Sequence, residues 1–198
     1  MKKVLILILV FASTLLVLNC LPVHGEEAIY DSVVRLHVIA NSDSDTDQAL
    51  KLKVRDAVLA SMPEILGNAD DRESALENLS KNLERVRLIA QNVVNSEGYD
   101  YTVSVALGDE KYPTKSYENV CFPAGVYKSL QIKIGDADGK NWWCVLFPQL
   151  CLSGTKKAES AFIEVGLTSD QYKVITETEN TKYKIRFKVL EAFGEVFN

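Results

Sequence analysis

The sequence predicts an α+β domain: an antiparallel sheet packed by a long amphipathic helix, with additional short helices. Three observations predict it. Segments near residues 34–38, 101–107 and 126–134 alternate apolar and polar side chains, the two-residue period of a half-buried strand. Between the first two lies a stretch, from about Arg72 to Asn95, whose apolar residues recur at steps of three and four. No internal repeat and no long Gly, Ser or Pro linker divides the chain.

Taken in order, the first 25 residues stand apart. Lys2 and Lys3 precede an uncharged, mostly apolar run from Val4 to Leu18, then Pro22, Val23-His24-Gly25 and Glu26-Glu27. A basic start, a short apolar core and small residues before an acidic stretch make a secretory signal, or else an uncleaved anchor. The core spans about 15 residues, short of the roughly 20 that cross a bilayer as a helix. Residues 1–25 are therefore read as a signal segment and 26–198 as a single extracytoplasmic domain. Cys20 is a poor lipidation site, because Asn19 stands where a small residue belongs.

Ser32 to Ala40 reads as a strand with Val34, Leu36 and Val38 on one face and Val33, Arg35, His37 and Ile39 on the other. The polar run from Asn41 to Asp47 stops it. A helix follows through Leu50, Val54, Ala57 and Val58, capped by Asp45 or Thr46 and ended near Pro63. The stripe Leu76, Leu79, Leu83, Val86, Ala90 and Val93 then predicts one helix of about 36 Å ending at Gly98. Tyr101, Val103, Val105 and Leu107 alternate, as do Val126, Leu130, Ile132 and Ile134. Gly135 to Lys140 reads as a hairpin connection into Trp142–Phe147, a strand apolar on both faces and so central or covered on both sides. A short helix is expected over Thr168–Thr176. The segment 182–196 fits helix and strand alike.

Without Lys2 and Lys3, 20 basic residues face 27 acidic ones, a mature charge of about −7. That disfavours nucleic acid and charge-driven adhesion to anionic membranes. Three cysteines remain after cleavage. Cys144 and Cys151 are the closest pair and could close a small loop contributing about 2–3 kcal/mol; buried thiols are the alternative.

The chemical motifs are sparse. His37 is the mature chain's one histidine, and a Cys–His or Ser–His pair would have to use it. Asp43, Asp45 and Asp47 begin like a calcium loop, but Gln48 replaces the turn glycine and Val54 the bidentate glutamate, so turn and cap chemistry explains them. Ser153-Gly154-Thr155-Lys156 matches a bare Ser-x-x-Lys pattern without its companion motifs. No metal-ligand spacing and no cofactor motif occurs. Tyr112 to Tyr117 and Phe122-Pro123-Ala124-Gly125 place aromatic rings in proline-stiffened loops. Such rings either bind a partner or lid the core.

Three blocks occur together: Arg35 to Ser44 with Asp47 to Val58; Tyr112-Pro113-Thr114-Lys115 with Phe122-Pro123-Ala124-Gly125; and Asn141-Trp142-Trp143-Cys144 continuing to Cys151. In these the chain resembles the stage II sporulation protein R family of endospore-forming Firmicutes, from about Val33 to Leu152. The resemblance implies a non-catalytic signal, exported from the forespore into the space between two membranes. There it would activate a membrane-embedded aspartic protease of the mother cell, which processes the pro-form of the early mother-cell sigma factor. It implies no cofactor and no small-molecule substrate. Gln149 stands where a second proline is expected. Cys121 lies outside the family pattern, which implies that it is the unpaired thiol. The candidate partner-binding surface is Arg35, His37, Asn41 and Asp43 with Tyr112, Lys115 and Tyr117. The rival readings are an exported hydrolase using His37 with Cys144 or Ser153, and a cell-wall binding module resting on the aromatic loops.

Overall fold

Val34–Ile39 (β1) is buried along its whole length, and the rest of the fold follows from covering both of its faces. In the computed structural model of the chain, the described residues are 25–117 and 120–148, with 3, 11 and 13. The expectations for the signal segment, Cys20, Cys151, Ser153–Lys156, Thr168–Thr176 and 182–196 lie outside the described elements. No helix among the described residues is long and apolar enough to cross a membrane.

The elements run α1 (Gly25–Ser32), β1, α2 (Asp45–Leu66), α3 (Arg72–Lys81), α4 (Leu83–Ser96), β2 (Val103–Tyr112), β3 (Lys115–Tyr117), β4 (Val120–Phe122), β5 (Gly125–Ile134) and β6 (Asn141–Phe147). The α+β class holds. The sheet has the order β2-β5-β1-β6 and is mixed, because β1 pairs with β5 in parallel and with β6 antiparallel. β3 and β4 form a separate two-stranded hairpin.

One face of β1 presents Val34, Leu36 and Val38 to α2, α3 and α4. They share a core with Val54, Met62, Leu79, Val86, Leu130 and Ile132. Each such side chain contributes about 1.5–3 kcal/mol by leaving water. The opposite face carries a second core of Ile29, Val33, Tyr112, Phe122, Tyr127 and Val145, closed by α1 and the β3–β4 hairpin.

Several local expectations are corrected. Ser44, rather than Asp45 or Thr46, caps α2, its side chain accepting from the Asp47 N–H. Pro63 does not end α2, which continues to Leu66 because Ile65 and Leu66 are buried in the core. The expected long helix is two helices, α3 and α4, broken at Asn82. The Asn82 amide donates to the Asn78 carbonyl at 2.8 Å, and its N–H turns to Leu79 O at 3.0 Å. An asparagine side chain thus competes with the backbone where the apolar stripe continues unbroken. Gly98, at φ 82°, does end α4.

Gly135–Lys140 is not a hairpin, because β1 lies between β5 and β6. The segment crosses the end of β1 and is bonded to it. Asn41 Oδ1 accepts from Asp136 N at 2.9 Å, Gly139 N donates to Ala40 O at 3.0 Å, and Asp43 Oδ1 accepts from Lys140 N at 2.6 Å. A Cβ on Gly139 would lie 2.2 Å from Ser42 O. β6 is not central either: among the described residues it pairs only with β1. Its last residues, from Cys144, are nonetheless buried on both faces.

Gly139→Ala is expected to destabilise the domain by about 1–3 kcal/mol, since the obstructing atom is backbone. Gly108→Ala, whose Cβ meets nothing within 4 Å, should change stability by less than about 0.5 kcal/mol. Urea unfolding of the two variants checks the contrast.

Candidate functional site

Arg35 and His37 are two positions apart on β1, so both point to the face away from α2–α4. Arg35 is wholly buried there. Its Nε donates to Cys144 O at 3.1 Å and its Nη2 to the Tyr117 hydroxyl at 2.8 Å. Four rings surround the guanidinium, with centroids 4.5 Å (Tyr112), 4.9 Å (Phe122), 5.1 Å (Tyr127) and 5.6 Å (Tyr117) from its carbon. No carboxylate pairs with it among the described residues, and Nη1 has no hydrogen-bond partner. Ring faces take the place of a counter-ion, each contributing about 0.5–2 kcal/mol.

The Phe122–Gly125 motif is explained by this cage. Tyr127 donates its hydroxyl proton to Pro123 O at 2.7 Å, and Tyr30 does so to Ala124 O at 3.1 Å. Gly125 leaves room for the Tyr30 ring, which a Cβ would meet at 2.6 Å. Phe122 and Tyr112 are buried, so these two rings lid the core, while Tyr117 is half-buried.

His37 is 5% exposed and held at both nitrogens, with Nδ1 2.7 Å from Glu110 Oε1 and Nε2 2.8 Å from Asn141 Oδ1. Burial pushes the Glu110 carboxyl up, but hydrogen bonds from His37, Ser129 and Tyr112 outweigh it and hold the group below its ordinary value. A carboxylate only accepts, so Nδ1 carries a proton. Beside this pair Tyr112 and Ser129 share a 2.7 Å hydroxyl contact, and burial pushes the Tyr112 phenol well above its ordinary value. Trp143 lies over His37 at 5.4 Å between centroids, half-buried, with Lys115 Nζ 3.9 Å from its own centroid on the outside.

The structure therefore brings together Arg35 and His37 of β1, Tyr112 at the end of β2, and Lys115 and Tyr117 of β3. It corrects the expectation that they form an exposed edge: Arg35 and Tyr112 are internal, and accessible surface is offered by Lys115, Trp143 and Asn141. Asn41 and Asp43 fall outside the cluster. Asn41 also donates to Asp47 at 3.0 Å, and Asp43 holds the 135–140 segment, so the acidic run is used in turn and cap bonds. Glu110, Ser129, Asn141 and Trp143 were not among the sequence candidates. The spacing of Glu110 two before Tyr112, and a lone serine within the apolar β5 run, are signals that could have found the first two.

Cys144 is disulfide-bonded and Cys121 is free. The other cysteines, Cys20 and Cys151, lie outside the described residues. No group of three or more His, Cys, Asp or Glu among the described residues could hold a metal ion.

Because the Glu110 value is depressed on folding, its contribution to stability is present above the ordinary carboxylate value of 4.5 and is lost as pH falls through the folded value. Glu110→Gln is expected to be less stable than the parent at pH 7 and to lose less stability on going from pH 5 to pH 3. Denaturant titrations at both ends of that range check it.

The family profile of Stage II sporulation protein R matches residues 30–157. Stage II sporulation protein R of Bacillus subtilis (strain 168) is 39% identical over 132 residues, covering 67% of this chain and 59% of the relative. The chain thus spans about three-fifths of that relative's length. No solved structure matches the chain. The profile runs from Tyr30 in α1 past the end of β6, across the whole Arg35–His37 cluster and well over half of the 198 residues, and the chain belongs to the stage II sporulation protein R family.

Proposed function

We propose that this sporulation protein is an exported, non-catalytic signal. It is made in the forespore and carried by residues 1–25 into the space between the forespore and mother-cell membranes. There it activates a membrane-embedded aspartic protease of the mother cell, which cleaves the pro-form of the early mother-cell sigma factor. Family membership is the observation that carries this reading, and the basic-then-apolar N-terminus supports the export step. The disulfide at Cys144 suits an oxidising compartment outside the cytoplasm. Its proposed partner is Cys151.

A signal of this kind acts by binding the active state of its receptor more tightly than the resting one. A hundredfold preference requires about 2.7 kcal/mol. The accessible part of the cluster, Lys115, Trp143, Asn141 and the half-buried Tyr117, is proposed as contact surface, held in place from within by Arg35, His37 and Tyr112. The hydrolase alternative finds less support. His37 is saturated by Glu110 and Asn141, and the Cys144 sulfur is bonded and offers no thiolate.

Two measurements test this. In a non-sporulating host carrying the receptor protease and the pro-sigma factor, processing is expected only when this chain is co-expressed with its export signal. Processing without export, or none with folded and exported protein, refutes the reading. Peptide mapping of the exported protein without reductant is expected to find Cys144 joined to Cys151 and Cys121 free.

A further inference from the structure

β2 forms one margin of the sheet, and its register fixes which backbone groups face outward. Gly135 N donates to its opposite residue, Thr102 O, at 2.9 Å. In an antiparallel ladder the residues then alternate. Ser104, Ala106, Gly108, Glu110 and Tyr112 face β5, while Val103, Val105, Leu107, Asp109 and Lys111 direct N–H and C=O away from it. The first outward group is occupied: Val103 N donates to Gln91 Oε1 at 2.9 Å, and Gln91 Nε2 donates to Tyr101 O at 2.8 Å. From Val105 to Lys111 the outward N–H and C=O groups have no hydrogen-bond partner among the described residues. The strand carries no proline and no bulge across its ten paired positions, two of the usual protections of an edge.

A groove of about 350 Å³ lies alongside, between α3 and the sheet. Leu76 and Leu107 supply its apolar surface, and Glu73 and Glu77 its acidic one, with Lys128 on the sheet side. Lys128 is engaged by Asp109 at 2.9 Å. Glu73 and Glu77 are themselves exposed, Glu77 pairing with the exposed Lys81 and Glu73 with the half-buried Arg72, and pairs with an exposed carboxylate contribute little.

We infer that β2 accepts an added strand: an extended segment of the partner protein pairs with Val105–Lys111 and sets an apolar side chain, flanked by lysine or arginine, into the groove against Glu73 and Glu77. Main-chain bonds hold such a segment, and the groove chooses its side chains. Identifying the partner with the receptor protease rests on the function proposed above; the edge itself does not.

The experiment replaces the chromosomal copy in the organism that makes this chain. Asp109→Pro deletes one outward N–H and spares the bonds to β5, because proline is tolerated where the N–H faces away from the sheet. Asp109→Ala controls for the lost side chain. Heat-resistant spores are expected at parental numbers with Asp109→Ala, and reduced roughly tenfold or more with Asp109→Pro and with the double variant Glu73→Lys/Glu77→Lys. Parental spore numbers in both of those variants would overturn the inference. The double variant changes only exposed side chains, so it keeps the test open if Asp109→Pro melts at a lower temperature than the parent. A photo-crosslinker at Lys111 in sporulating cells should give an adduct with the receptor protease. An adduct of twice the chain's mass, or none, overturns that occupant. Failure of the receptor reading is recognised separately, as a wild-type chain that supports sporulation yet triggers no processing in the co-expression host.

Discussion

Arg35 sets the condition that the rest of one sheet face must meet. An ionised side chain in an interior strand costs several kcal/mol in lost hydration, and a guanidinium does not escape by losing its proton. Among the described residues this is offset without a carboxylate. β6 offers the Cys144 carbonyl, the β3–β4 hairpin brings Tyr117 and Phe122, β2 ends in Tyr112, and β5 contributes Tyr127. α1 then packs Tyr30 edge-on against Tyr127, with centroids 4.9 Å apart. The strands on that face meet at one charge and α1 packs on the Tyr127 ring beside it, so distant segments form one packed face.

The two faces of the sheet therefore differ in kind. The helical face is an apolar core, rigid through close packing. The other is aromatic and polar, and its outer layer is a hairpin of three residues per strand that pairs with no strand of the main sheet. A hairpin that short is marginal alone. It stays in place through Arg35, Phe122 and the Lys115–Trp143 contact. His37 offers no free nitrogen to a substrate here, and the Cys144 sulfur is already bonded.

Strand phases and the packed faces of the helices were legible because burial imposes its period directly on the residues. Val34, Leu36 and Val38 and the stripe from Leu76 to Val93 all lie where their spacing puts them. The break at Asn82 was not legible: the apolar stripe runs straight through it, and only the side-chain bond to Asn78 O shows why the backbone turns. The 135–140 segment has the composition of a hairpin turn. Whether it closes a hairpin or crosses a strand end depends on Asn41, Ser42 and Asp43, which are remote in sequence. For the site, the shared face of Arg35 and His37 could be read from the two-residue period. Their burial could not, because it comes from α1 and a hairpin whose positions no local pattern fixes. Trp143 entered the sequence reading as a strand residue and within the family pattern, not as a site residue, yet it is the ring that lies over His37.

β2 joins these themes, because its two sets of alternate residues do different work. Glu110 and Tyr112 belong to the set bonded to β5, and their side chains hold His37 and frame Arg35. Val105, Leu107, Asp109 and Lys111 belong to the set whose backbone faces outward. A strand added there would order β2 along the length that carries Glu110 and Tyr112, so edge and cluster would respond as one mechanical unit. Main-chain pairing is nearly blind to sequence and gives affinity without choice. On the proposed reading, choice between receptor states would come from side chains: the acidic groove on one side of β2, and Lys115, Trp143 and Asn141 on the other. A preference of about 2.7 kcal/mol lies within reach of one or two well-packed aromatic or charged contacts. On that reading a small part of the surface carries the signal, and the buried guanidinium, bonded to the Cys144 carbonyl and the Tyr117 hydroxyl, helps to fix that part in place.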